Sequence, residues 1–147
     1  MQAALDNRDT MSNTTSPSSA PTATTFSDFS LDERILRAIA DAGYTSPTPL
    51  QAQAIPVVLS GQDVMGSAQT GTGKTASFVL PILQKILPLS STSTSPARHP
   101  VRALVLCPTR ELAVQVADNA HTYAKHTDIR TAVVFGGVDI KTQTPAV

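Results

Sequence analysis

Apolar residues recur along the chain first at helical spacing and then in short continuous runs. Leu31, Ile35, Ala38, Ile39 and Ala42 fall three and four apart, which places them on one helix face. Ser30-Leu31-Asp32-Glu33 ahead of them has capping-box form, with Ser30 as N-cap and Glu33 reaching back. Gly43 is placed to end that helix. A second helix is expected to start at Thr48-Pro49, with proline at its first position; Pro56 should disturb it by removing a backbone donor. Val79, Ile82, Leu83, Ile86 and Leu87 mark a third helix, bent near Pro81. A fourth, which Thr109 can cap, has Leu112, Val116, Ala120 and Ala124 on its inner face. Between the helices, Val64-Met65 is a short apolar run. Residues 101–107 read as a buried parallel strand. Residues 130–135 read as another, stopped by Gly136-Gly137. The order strand, helix, strand, helix, strand, joined by right-handed crossovers, predicts an α/β fold with a parallel sheet flanked by helices.

Residues 1–25 hold ten Ser or Thr and no aromatic residue. Such a stretch cannot bury enough apolar surface to offset its ordering entropy, so a disordered tail is expected. Residues 90–100 form a Ser/Thr/Pro-rich surface loop. The whole chain, 147 residues with 41% hydrophobic content, suits one soluble globular domain. Eleven basic and eleven acidic residues cancel, so no strong basic field advertises nucleic acid, although a local site needs only a few donors. The single cysteine, Cys107, cannot form an internal disulfide. It reads as a small core residue in a reducing cytoplasm. No segment is long enough to span a membrane, and the N-terminus lacks a signal pattern.

The chemistry concentrates at Ala68-Gln69-Thr70-Gly71-Thr72-Gly73-Lys74-Thr75, between the run Val64-Met65 and the third helix. Glycines let successive backbone N–H groups converge on phosphate oxygens, and the helix adds the positive end of its dipole. Lys74 can reach the outer phosphates, and the Thr75 hydroxyl can hold a magnesium ion. Ala68 stands where the strict pattern has its first glycine.

Other residues take meaning from their position around this loop. Gln51 can pair two-pronged with the N6 and N7 edge of adenine, and Phe26 can stack on a base. Taken alone, the first is a solvated helix residue and the second a core anchor. Pro108-Thr109-Arg110-Glu111-Leu112-Ala113 sits where a strand turns into a helix, the edge at which open parallel sheets bind ligands. Arg110 and the first helical amides could hold a phosphate of a nucleic-acid backbone; without the loop they are ordinary exposed helix-start residues. Gly136-Gly137 permits close backbone approach, or is only a turn. His99, His121 and His126 have no metal-ligand spacing.

Phe26, the Gln51-bearing segment, the loop with alanine first and residues 108–113 occur in an order that resembles the N-terminal part of a DEAD-box RNA helicase. The resemblance covers residues 26 to about 143, and residues 135–143 are similar to the bacterial RhlE branch. It implies a partial RecA-like ATP-binding domain over residues 26–147, with the family's Q motif at 26–54. It implies ATP-dependent RNA unwinding with magnesium. Phe26 and Gln51 would recognise adenine. Ala68, Gln69, Thr70, Gly71, Thr72, Gly73, Lys74 and Thr75 would bind phosphates. Lys74 and Thr75 would serve catalysis, with Thr75 on the metal. Pro108, Thr109, Arg110, Gly136 and Gly137 would contact the RNA backbone without reading sequence. Tyr44 and Leu50 stand where the family often has phenylalanine and isoleucine.

One departure is large. No Asp-Glu-Ala-Asp occurs, and no apolar strand after Lys74 ends in Asp-Glu. The family's Ser-Ala-Thr motif and its second domain with arginine fingers lie outside these 147 residues too. Alone, they are expected neither to hydrolyse ATP at a useful rate nor to unwind RNA, and to fold marginally around a sheet of three strands. Two other readings stay open: a nonenzymatic module that binds ATP or RNA, and a small-molecule kinase built on the same loop. Gln51 and residues 108–113 argue against the kinase.

Overall fold

The computed structural model describes residues 25–90, 100–137, 139 and 143. The expected tail therefore lies outside the described residues apart from Thr25, as does most of the loop at 90–100. Four α-helices are present among the described residues: α1 (Glu33–Asp41), α2 (Pro49–Leu59), α3 (Lys74–Ile86) and α4 (Arg110–Ala124). Short 3₁₀ turns stand at Phe26–Phe29 and Leu87–Leu89.

α3 is the hub and packs against α1, α2 and α4. It buries Ala76, Val79, Leu80, Pro81 and Leu83. Ile35 of α1, Ile55 of α2 and Leu80 of α3 are completely buried. Removing each from water stabilises the fold by about 1.5–3 kcal/mol. Phe26 and Phe29 close one end of this core, their rings edge-to-face at 6.0 Å. Both internal prolines are accommodated: α2 continues through Pro56 and α3 through Pro81. Each lost backbone bond is offset by the fully buried residue that precedes it, Ile55 and Leu80.

The start of α1 differs from the expected cap. Ser30 has φ +54° and closes the Phe26–Phe29 turn instead. Asp32 is the N-cap; its carboxylate accepts from the Arg34 amide at 3.0 Å and from the Arg34 side chain at 2.9 and 3.1 Å. A carboxylate meets the helix dipole better than a hydroxyl, and its hydrogen bonds are charge-assisted. The same contacts hold the Asp32 carboxyl below its ordinary range. The end of α1 matches expectation. Gly43 N–H donates to Ala40 and Tyr44 N–H to Ile39, the double bond of a Schellman motif.

Residues 101–107 correct the expectation of a buried strand. Val101, Leu104 and Leu106 are 75%, 76% and 84% exposed, and only Cys107 in this run is partly covered, against the core. Neither this run nor residues 130–135 carries a strand ladder among the described residues. Parallel strands are stabilised by burial on both faces, and no neighbouring strand covers this run among the described residues. Leu112 also departs from its predicted inner face and is exposed, whereas Val116 and Ala124 are buried.

Candidate nucleotide and nucleic-acid site

Residues 68–75 lead directly into α3, whose first residue is Lys74. Gly73 is the N-cap at φ +77°, a conformation that L side chains rarely adopt. A Cβ added there would lie 2.2 Å from Gln51 Nε2, so the space belongs to the glutamine. Thr72 Oγ1 donates to the Gln69 carbonyl at 2.8 Å and tightens the loop internally. The Lys74 ammonium donates to the Ala68 carbonyl, closing the loop on itself. Gln69, Thr70, Gly71 and Lys74 are exposed; Ala68, Thr72, Gly73 and Thr75 are partly covered.

α2 braces this loop. Thr48 caps α2 and Gln51 sits three residues on; Gln51 N–H donates to Thr48 Oγ1 at 3.3 Å and Thr48 N–H to Gln51 Oε1 at 2.9 Å. The same two side chains reach across to the loop. Thr48 Oγ1 donates to the Thr72 carbonyl at 2.8 Å, and Gln51 Nε2 to the Gly73 carbonyl at 3.2 Å. Gln51 is only 2% exposed. Among the described residues its carboxamide makes these two hydrogen bonds, which leaves one N–H and one lone pair. Thr48 was not among the expected site residues, although its spacing to Gln51 is that of a capping box and is readable from sequence. Phe26 lies in the core and is 6% exposed, not beside Gln51 as an open platform.

A cleft of about 410 Å³ opens beside Lys74, walled by Leu50, Ala54, Val58 and Phe78 and edged by Asp63. Its walls are mainly apolar, with Gln62, Asp63, Lys74 and Ser77 as their polar members.

Of the second group of expected residues, the structure brings Arg110 and Gly137 together. Thr109 caps α4, its hydroxyl accepting from Leu112 N–H at 3.2 Å. Pro108, Thr109 and Arg110 are exposed, as are Gly136 and Gly137. Gly137 has φ +80°, and a Cβ there would stand 2.4 Å from Arg110 Nη2 and 3.1 Å from Cζ. The guanidinium therefore rests on the glycine. Gln143 was not an expected site residue and has no local signal beyond its amide; it accepts from Phe135 N–H at 2.9 Å and donates to the Phe135 carbonyl at 3.1 Å. Tyr44, from the segment ahead of α2, lies 6.1 Å from Tyr123 of α4. Burial, and then a hydrogen bond with Tyr44, raises the Tyr123 hydroxyl well above the usual phenol range.

A family model described as DEAD/DEAH box helicase matches residues 48–147. ATP-dependent RNA helicase SrmB of Escherichia coli (strain K12) is 52% identical over 117 residues, which are 80% of this chain and 26% of that protein. DEAD-box ATP-dependent RNA helicase RhpA of Helicobacter pylori (strain B128) is 46% identical over 118 residues, 80% of this chain and 22% of that protein. The chain thus spans about a quarter of the length of these relatives. The crystal structure of a DEAD box protein from the hyperthermophile Methanococcus jannaschii superposes with a TM-score of 0.70 at 33% identity, over 84% of this chain and 32% of that one. RNA-helicase Prp28 from Chaetomium thermophilum, solved bound to ADP, gives 0.69 at 35% identity, over 84% of this chain and 29% of that one. The match begins at Thr48, the residue that starts the brace on the glycine-rich loop, and takes in both groups of residues: this chain belongs to the DEAD/DEAH box helicase family.

Proposed function

We propose that this chain binds ATP and the backbone of RNA as part of an ATP-dependent RNA helicase. The observation that carries the reading is the loop at 68–75, held by Thr48 and Gln51 at the start of α3. Phosphates would lie against the loop amides and the N-terminus of α3, where partial positive charge gathers. Lys74 would exchange the Ala68 carbonyl for a phosphate oxygen, a stronger, charge-assisted partner. The unused N–H and lone pair of Gln51 would meet the adenine edge, while Phe26 anchors the segment in the core and offers a base only its small exposed part.

Thr75 fits a magnesium ligand. Its hydroxyl sits partly covered in the first turn of α3 and has no hydrogen-bond partner among the described residues. A magnesium ion held by Thr75 would neutralise phosphate charge. Pro108, Thr109, Arg110, Gly136 and Gly137 would meet RNA phosphates, which carry no sequence information. We further infer that the runs near Val64 and at 101–107 and 130–135 are strands of a RecA-like parallel sheet in a domain spanning 26–147. No helix among the described residues is long and apolar enough to cross a membrane. A cytoplasmic protein fits the unpaired Cys107.

Isothermal titration with ATP tests the reading. Lys74→Ala should weaken affinity roughly ten- to hundredfold, the range of a hydrogen bond to a charged group. Unchanged affinity would overturn the loop assignment. Phosphate release stimulated by RNA should stay at the Lys74→Ala level for these 147 residues, because no Asp-Glu-Ala-Asp and no Asp-Glu after Lys74 occurs in them to hold the metal and orient the attacking water. Turnover well above that control would show that other carboxylates do this work.

A further inference from the structure

The loop ahead of Arg110's glycine seat is held by a side chain. Phe135 immediately precedes Gly136-Gly137, and both of its backbone polar groups are engaged by one carboxamide: N–H to Gln143 Oε1 at 2.9 Å and C=O from Gln143 Nε2 at 3.1 Å. The pairing is two-pronged, as a neighbouring strand would make it, and Gln143 lies partly covered. Two residues on, Gly137 at φ +80° carries the Arg110 guanidinium so closely that no Cβ would fit. Two consecutive glycines have wide conformational freedom, so the placement of Gly137 depends on what fixes its flanks. The clasp fixes one flank within three residues of the guanidinium's seat. Arg110 is exposed at the start of α4, next to its Thr109 cap. Its direction is set by the surface it rests on.

We propose that Gln143 is a positioning residue for the RNA-backbone contact: by clasping Phe135 it holds Gly137 under Arg110 and aims the guanidinium at phosphate. The inference rests on the RNA-binding reading above. It adds a residue that touches neither nucleotide nor RNA.

The test uses the full chain, a fluorescein-labelled oligouridylate read by anisotropy, and ATP titration in parallel. Gln143→Ala should weaken oligouridylate binding about tenfold, the combined scale of two neutral hydrogen bonds, and leave ATP affinity unchanged. Arg110→Ala should weaken it as well. The double variant should bind no more weakly than Arg110→Ala, because Gln143 acts through Arg110 and the effects are not additive. Gln143→Asn, one methylene too short to span both bonds, should behave like the alanine variant. Wild-type binding by Gln143→Ala while Arg110→Ala is impaired overturns the clasp and spares the RNA reading. Fully additive losses overturn it too, as does joint loss of ATP and RNA binding, which marks Gln143 as a general structural residue. No RNA binding by the unmodified chain, with Arg110→Ala indistinguishable from it, overturns the RNA reading and the proposal together.

Discussion

The α2–loop–α3 region and the region from residue 100 to Gly137 are built in opposite ways. In the first, a glycine-rich loop is pinned from outside by two α2 side chains, and the helices beneath it bury Ile55 and Leu80 completely. In the second, α4 seats Val116, Tyr123 and Ala124 in the core, but the runs flanking it stand open: Leu104 and Leu106 are 76% and 84% exposed, and the surface at Arg110 is held by a helix cap, a glycine seat and one glutamine clasp. The glycine-rich loop is braced by long-range side-chain bonds to two of its own carbonyls. The surface at Arg110, assembled from a loop and a helix start, is held by fewer and more exposed contacts.

Core truncation separates the regions most sharply. Ile55→Ala should cost about 2–5 kcal/mol, the range for emptying a buried site, whereas Leu106→Ala should change stability by less than about 0.5 kcal/mol. Urea denaturation of both variants measures this; equal losses would mean that residues 101–107 are buried after all. Amide exchange should agree, with slow amides in α2 and α3 and fast ones at 101–106.

Gly73→Ala attacks the brace itself. The substitution forces φ +77° on an L residue and drives a methyl into Gln51 Nε2. About 2–4 kcal/mol of stability should be lost with ATP affinity, from left-handed strain plus displaced hydrogen bonds. A variant that melts and binds ATP like the parent would show that Gln51 is not seated against the loop.

Thr48→Ala should cost about 1 kcal/mol through the cap of α2, and should also loosen the loop because the same hydroxyl holds the Thr72 carbonyl. Thr109→Ala, the equivalent cap of α4, should cost a similar amount but leave ATP affinity alone. Parallel ATP titrations decide between a shared and a private role for Thr48.

The smallest effect is a pH dependence at the contact between α1 and α4. Asp41 Oδ2 meets His126 Nε2 at 2.7 Å and Lys125 Nζ at 3.2 Å. These partners, His126 first, hold the Asp41 carboxyl below its ordinary value. The contribution is therefore complete above the unfolded carboxylate value of about 3.9 and fades as pH falls through the lowered folded value. Thermal melts across the acid range should show a slope that Asp41→Asn flattens. An identical slope in the variant would remove Asp41 from the account.

Much of this protein follows from local chemistry. The helix at 33–41, its Schellman ending and the start of α2 at Thr48-Pro49 depend on residues near one another in the chain, and all are legible. The glycine-rich loop entering α3 is legible for the same reason: eight consecutive residues carry the glycines, the cation and the hydroxyl. Local reading failed where two local solutions competed, as at Ser30 and Asp32, since only the formed helix shows which oxygen meets its free amides. Tertiary structure alone decided the rest. Gln51 is buried against Gly73, twenty-two positions away, and Gln143 is clasped to Phe135. A carboxamide binds whichever backbone group the fold brings within 3 Å, and spacing in sequence does not encode that distance. The exposure of residues 101–106 was likewise beyond the pattern, because an apolar run states a preference for burial but not whether a neighbour supplies it.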